Sequence, residues 1–173
     1  ESNVNALWLT PTMAALLARL NRTPTTQKWT KNNLRHTFVG TAPLPKATKE
    51  TFESTFGIPT LESYGMTEIL IVASNYSEGL QKQGSVGHLL EDIEVEARDK
   101  QGSPLPKGEI GELFVKTPFA LKGYLQPETG QINSPLEEGW FATGDYGYFD
   151  ADDDLFITGR IKDLIIHGGT NVS

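Results

Sequence analysis

There is no cysteine in the sequence, which excludes disulfides and thiolate zinc sites. No apolar run approaches the ~20 residues that a membrane-spanning helix needs, so no membrane span is expected. Lys and Arg form no cluster, and a formal net charge of −7 argues against a nucleic-acid partner. The glycine signatures G-x-x-x-x-G-K-S/T, G-x-G-x-x-G and G-x-S-x-G are all missing. Phosphate-loop NTPases, dinucleotide-binding dehydrogenases and serine hydrolases therefore have no support. His36, His88 and His167 lack metal-ligand spacing and a base partner, and read as structural. Asp150-Ala151-Asp152-Asp153-Asp154 begins like a calcium loop, but such a loop needs glycine at its sixth position and glutamate at its twelfth. Those positions hold Leu155 and Ile161, so an acidic hairpin turn is expected instead.

What is present fits a globular protein. Hydrophobic residues make up 38% and charged residues 21%, too balanced a mixture for a disordered chain. The 173 residues suffice for one domain, or two small ones, with a real core. Glu1-Ser2-Asn3 is not the start of a signal peptide, and a cytoplasmic location is expected. A strand-like run starts almost at once and the chain stops after Ser173 with no capping element. Both ends are expected to be cuts through a larger protein.

The fold class expected is α/β. Residues 4–9 read as a short buried strand. Thr10-Pro11 is a helix start, an N-cap hydroxyl followed by proline at the first helical position. Met13, Leu16, Leu17 and Leu20 then form one apolar stripe. Residues 21–33 are polar and read as a loop. A second strand is expected over 35–39, and a small-residue turn at Gly40-Thr41-Ala42-Pro43. Pro45 opens a second helix, closed by Gly57, with Phe52 and Phe56 inward and Lys46–Glu50 and Lys49–Glu53 paired outward. A strand at 58–63 completes a parallel βαβ segment, in which ligands bind at the carboxyl ends of the strands. Beyond about residue 80 short strands take over, at 93–97, 109–116, 140–149 and 155–158, with an apolar run at 164–166. They suggest an antiparallel β-barrel-like subdomain. The divisions expected are 1–80, 81–161 and a short tail, 162–173.

The densest chemistry lies in Tyr64-Gly65-Met66-Thr67-Glu68, read as a turn at a strand's end. An aromatic face can stack on a ring, and glycine lets a ligand approach the backbone. Threonine can donate to a phosphoryl oxygen, and the carboxylate can help hold Mg²⁺. Asp145, beside Gly144 and among aromatics, either accepts from vicinal hydroxyls such as those of a ribose or caps its own turn. Gly159-Arg160-Ile161-Lys162-Asp163 is either a phosphate or ribose contact through Arg160, with Lys162 nearby, or a solvated charged turn.

Taken in order, these pieces resemble successive signatures of the adenylate-forming superfamily. They are Gly40-Thr41-Ala42-Pro43-Leu44-Pro45, Glu62-Ser63-Tyr64-Gly65-Met66-Thr67-Glu68 and Gly84-Ser85-Val86-Gly87. Gly111-Glu112-Leu113-Phe114-Val115-Lys116 with Gly123-Tyr124, then Thr143-Gly144-Asp145, then Gly159-Arg160-Ile161-Lys162-Asp163 complete the series. That superfamily holds the acyl-CoA synthetases, the adenylation domains of peptide synthetases and firefly luciferase, and the likeness covers essentially the whole chain.

The resemblance implies an ATP-dependent acid–thiol ligase, which activates a carboxylic acid as acyl-AMP and passes it to coenzyme A. The alternatives are an adenylation domain of a peptide synthetase and a non-catalytic AMP-binding relative. Residues 159–166 resemble the ligase version, and a non-catalytic relative should have lost Glu68, Asp145 or Arg160, all of which are present. By the same resemblance Tyr64 stacks on adenine, and the backbone of Gly40, Thr41, Ala42 and Pro43 lines that slot. Thr67 contacts the α-phosphate and Glu68 coordinates Mg²⁺, the two catalytic assignments. Glu62, Ser63, Gly65 and Met66 belong to the same nucleotide-binding run. Asp145 and Arg160 hold the ribose, Lys162 sits at a hinge, and Val39, Gly40 and Ser63 border the acyl pocket. The family's glycine-, serine- and threonine-rich phosphate loop and its C-terminal lobe are not among these residues, so the chain by itself is expected not to turn over substrate. Asp153-Asp154 stands where relatives usually have glycine and a bulky residue; aspartate tolerates the left-handed turn.

Overall fold

The computed structural model describes residues 4–20, 24–76 and 81–161, and the backbone alone of 24–26, 165–167 and 170–172. Lys162, the expected hinge, lies outside the described residues. The first layer begins with β1 (Ala6–Leu9), α1 (Pro11–Arg19), α2 (Pro24–Asn33), β2 (His36–Val39), α3 (Lys46–Phe56) and β3 (Leu61–Met66). β1, β2 and β3 are parallel neighbours, as the βαβ pattern required. β4 (Leu70–Ser74) and β5 (His88–Leu89) then add antiparallel, giving the five-stranded order β1-β2-β3-β4-β5.

The helix starts and stops follow local chemistry. The Thr10 hydroxyl accepts from the Met13 amide at 3.2 Å, the N-cap that the Thr-Pro pair announces. Gly57 ends α3 in the left-handed conformation, at φ 67°. Phe52 and Phe56 are buried with Leu9, Ala14, Leu34, Val39 and Ile58 in the core under this sheet. Each of the Leu, Val, Ile and Phe side chains contributes roughly 1.5–3 kcal/mol of burial.

Several expectations are corrected here. β1 is not buried throughout: Leu9 faces the core while Trp8 is exposed. The expected stripe of α1 is mostly on the wrong side. Met13, Leu16 and Leu20 are exposed, and Ala14, Leu17 and Ala18 pack inward, on the side where α1 lies against α3 and its Phe52 and Phe56. Most of the expected loop at 21–33 is helix α2, anchored by the Thr30 hydroxyl donating to the Phe56 carbonyl at 2.7 Å. Lys49 does not pair with Glu53. It reaches Glu62 at 3.0 Å, while Glu53 accepts from the amide and hydroxyl of Thr60. The strand expected at 58–63 begins three residues later and runs through Tyr64, Gly65 and Met66, so that motif is strand first and turn only at 67–69.

The second layer is a curled antiparallel half-barrel. It comprises β6 (Glu94–Arg98), β7 (Gly111–Lys116), β8 (Tyr124–Leu125), β9 (Ile132–Asn133), β10 (Leu136–Glu137), β11 (Trp140–Phe149) and β12 (Leu155–Arg160). Its sheet runs β10-β11-β7-β6, with β12 also on β11, while β8 and β9 form a separate hairpin. β13 (Ile165–His167) and β14 (Thr170–Val172) pair with each other. Tyr64, Ile69, Val72 and Ala73 from the first layer share one core with Leu113, Val115, Phe141 and Leu155 from the second.

The Gly84-Ser85-Val86-Gly87 segment fastens the layers. The buried Ser85 hydroxyl donates to Asp154 at 2.9 Å, and a side chain at Gly87 would strike the Ser74 backbone. The expected acidic turn lies between β11 and β12, with Asp153 at φ 66° as its left-handed residue. Lys82 inserts its ammonium among Asp150, Asp152 and Asp154. Among the described residues no helix is long and apolar enough to cross a membrane.

Candidate functional site

β3 outruns β2. Their parallel pairing stops at Val39↔Glu62, so residues 63–66 project beyond the carboxyl end of the neighbouring strand. Gly40 follows β2 directly and packs against Ser63, where a Cβ would stand 3.0 Å from the serine hydroxyl. On its other edge the overhang pairs with β4, and Gly65 is required there, because a Cβ would collide with the Leu70 carbonyl. The chain then turns through Thr67 and Glu68. The result is an open cleft of about 720 Å³ at the strand ends, roomy enough for a drug-sized ligand or a nucleotide.

Its far wall comes from the half-barrel. β11 carries a bulge between Ala142 and Tyr146, with Gly144 in the left-handed region at φ 71°. The Thr143 hydroxyl replaces lost ladder bonds, donating to the Leu113 carbonyl at 2.8 Å and accepting from the Asp145 amide at 3.0 Å. The bulge turns Asp145 inward, where it is 1% exposed. The Tyr64 hydroxyl donates to its Oδ2 at 2.7 Å, and Arg160 Nε donates to its Oδ1 at 2.6 Å. A buried carboxylate is thereby neutralised and hydrogen-bonded on both oxygens, as burial demands. Burial pushes the Tyr64 phenol well above its ordinary range, and the adjacent Asp145 charge adds to that, so it stays a donor.

The structure gathers most of the residues picked from the sequence. Thr41, Ser63, Tyr64, Gly65, Met66, Thr67, Glu68 and Arg160 all line the cleft. Asp145 stands behind Tyr64 and Arg160, within one hydrogen bond of both. Ala42 and Pro43 are exposed in the bend after β2 and are not among the lining residues. Glu62 turns the other way, into its ion pair with Lys49 on α3. Val39 is buried in the core beneath the sheet.

Leu70, Ile71 and Phe141 add apolar lining, and Trp8 and Tyr124 bring chemistry that sequence reasoning does not assign to the site. Trp8 stacks on Phe38 with ring centroids 5.2 Å apart and faces the cleft. The all-apolar run Ala6-Leu7-Trp8-Leu9 reads as a buried strand and carries no signal of an exposed face. Tyr124 was noted only as part of a Gly-Tyr pair. Its hydroxyl donates to Glu68 Oε1 at 3.1 Å.

Chemically, the cleft offers an aromatic ring, a buried carboxylate bridged to a guanidinium, the Thr67 hydroxyl and a second, more open carboxylate. Flat rings, vicinal hydroxyls and phosphoryl oxygens each find a counterpart. Among the described residues no three His, Cys, Asp or Glu side chains cluster as a metal cage. Glu68 alone suits a Mg²⁺ that keeps waters and arrives with phosphates, which is how that ion is usually held.

The family model described as AMP-binding enzyme matches residues 1–125. The 2-succinylbenzoate–CoA ligase of Bacillus licheniformis is 38% identical over 166 residues, 92% of this chain and 32% of that protein. ATP-bound MatB from Rhodopseudomonas palustris superposes with a TM-score of 0.83 at 34% identity, covering 97% of this chain and 33% of that one. The O-succinylbenzoate coenzyme A synthetase MenE from Bacillus subtilis, in complex with AMP, gives 0.77 at 32% identity, covering 98% and 34%. The chain spans 23% to 32% of the length of the curated relatives it matches.

Proposed function

Because this chain belongs to the AMP-binding enzyme family, we propose that it is part of an ATP-dependent acid–thiol ligase acting on a carboxylic acid and coenzyme A. The observation that carries this reading is the bonded group Tyr64–Asp145–Arg160 closing the same cleft into which Thr67 and Glu68 open. The curated relatives from Enterococcus faecalis and Bacillus licheniformis are CoA ligases by name, and they support the choice of thiol.

In this reading the Tyr64 ring, with the backbone of 40–43, forms the adenine slot. Asp145 accepts from the ribose hydroxyls on the lone pairs that Tyr64 and Arg160 leave open. The Thr67 hydroxyl donates to the α-phosphate. Gly40, Ser63 and the exposed Trp8 ring border the acid, with Val39 beneath them, and Lys162 lies at the hinge of a following lobe. Glu68 would hold Mg²⁺, which when bound neutralises phosphate charge. The acid's carboxylate oxygen then attacks the α-phosphorus, the bond to the β-phosphate oxygen breaks, and pyrophosphate leaves. The coenzyme A thiol gives its proton to solvent and attacks the acyl carbon, the bond from that carbon to the phosphate oxygen breaks, and AMP leaves. The chain's contribution is to position and to offset developing charge, with no covalent help needed. Since it spans about a third of its relatives, the complete reaction belongs to the longer polypeptide. The cytoplasm, where ATP and coenzyme A are at hand, is its proposed seat.

The test is pyrophosphate release by the full-length polypeptide over a panel of carboxylic acids, with and without coenzyme A, alongside AMP binding by calorimetry. Acid-dependent release with acyl-CoA as the product is expected. No release with any acid, together with no AMP binding, overturns the reading.

A further inference from the structure

Glu68 is held from outside its own turn. Its backbone carbonyl accepts from the Leu121 amide at 2.7 Å, and its Oε1 accepts from the Tyr124 hydroxyl at 3.1 Å. Leu121 lies in the segment joining β7 to β8 and Tyr124 opens β8, so both donors belong to the half-barrel layer. That segment is itself anchored, since Ala120 and Leu121 pack against the shared core. Gly123, just before Tyr124, is needed for this approach: a Cβ there would stand 2.5 Å from the Asn133 carbonyl and 2.6 Å from Ile132 Cγ2. The β8–β9 hairpin closes tightly at this point and presents the phenol to the cleft, where Tyr124 and Glu68 are both lining residues.

One carboxylate oxygen is thus occupied, and Oε2 has no hydrogen-bond partner among the described residues. We propose that Tyr124 is a positioning residue for Glu68: its hydroxyl fixes the carboxylate rotamer so that Oε2 is presented to a divalent cation bound with the nucleotide phosphates. The proposal rests on reading Glu68 as the carboxylate that holds the cation. Partners that orient a metal-holding carboxylate commonly change metal affinity or activity 10- to 100-fold when removed. A half-exposed bond of 3.1 Å belongs at the lower end of that range. A purely structural tyrosine would instead change folding, or nucleotide binding with and without metal alike.

The experiment compares the full-length polypeptide with Tyr124→Phe, Glu68→Gln and the double variant. Tyr124→Phe keeps the ring and removes only the donor. Mn²⁺ binding in the presence of nucleotide is followed by electron paramagnetic resonance, AMP binding without metal by calorimetry, and folding by thermal melts. Tyr124→Phe is expected to weaken Mn²⁺ binding about 10-fold while leaving metal-free AMP binding and the melt unchanged. In the Glu68→Gln background it should add nothing. Unchanged Mn²⁺ affinity, equal loss of metal-free AMP binding, or an additive effect in the double variant overturns the proposal. If wild type binds AMP but its Mn²⁺ binding is unaffected by Glu68→Gln, the metal role of Glu68 fails first, and the proposal with it. If wild type binds neither, the ligase reading fails as well.

Discussion

The Tyr64 hydroxyl and the Asp145 carboxylate, 81 positions apart, meet at 2.7 Å and join the parallel layer to the half-barrel. Tyr64→Phe should therefore destabilise the protein by about 2 kcal/mol, the usual range for a lost hydrogen bond to a charged group. Urea unfolding reads this directly. The alkaline limb offers a second check. Because the folded phenol titrates above its unfolded value of 10.0, the folded state keeps a proton that the unfolded state gives up. Stability contributed by Tyr64 is complete below pH 10.0 and falls as pH rises beyond it. The difference between wild type and Tyr64→Phe should shrink over that limb. A constant difference would mean the buried phenol is not what titrates.

Lys49 and Glu62 form a largely buried ion pair between α3 and β3. Lys49→Met strands the Glu62 carboxylate and should cost about 3 kcal/mol, the lower end for breaking such a pair. Replacing both partners with apolar residues of similar size should recover much of that loss. A double-variant cycle by chemical denaturation measures the coupling, and purely additive losses would show the pair to be energetically silent.

Lys82 makes a pH-dependent clamp with the turn that follows β11. Its hydrogen bonds to Asp150 and Asp152 raise its own titration above the ordinary lysine range, and its contact holds Asp150 below the ordinary carboxylate range. A depressed carboxylate contributes stability above its unfolded value of 3.8 that is lost as pH falls through its folded value. Lys82→Met removes that contribution and leaves carboxylates facing one another. Melting temperatures taken from pH 7 down to 3 should then fall less steeply in the variant than in wild type. Parallel curves would rule the clamp out.

Gly65→Ala places a methyl against the Leu70 carbonyl and 2.8 Å from Ile71 Cα. Since the obstacle is backbone, the hairpin of β3 and β4 must splay, at about 3 kcal/mol. AMP binding should weaken with it, because Tyr64 and Thr67 flank the displaced residue. Full retention of both stability and binding would contradict the close approach.

Where local chemistry is strong, the sequence was a sufficient guide. The Thr10 cap, Gly57 stop, parallel order of β1 to β3 and acidic turn at 150–154 all need only neighbouring residues to be understood. The same Thr-Pro signal stands at Thr23-Pro24, but the polar run behind it masked α2, whose few inward groups include a threonine. β4 is not legible because Leu70-Ile71-Val72-Ala73 has no polar alternation; Val72, Ala73 and Ser74 are buried in succession while Leu70 and Ile71 stay exposed. Lys49 defeated the helix-pairing rule because a more buried carboxylate on β3 competed for it. Tyr124 was invisible as a partner of Glu68 for a similar reason, since no local pattern reports a contact 56 residues away.

β3 pairs with β2 at residues 61–62 and with β4 at residues 63–66, one edge after the other. A strand committed in this way has no slack. Inserting or deleting one residue ahead of Tyr64 would exchange its inward and outward side chains, sending the phenol away from Asp145 and aiming Gly65 where a side chain is wanted. Length variation among descendants of this sequence must therefore be absorbed elsewhere, in connections such as 99–110 or 126–131, while β3 stays indel-free.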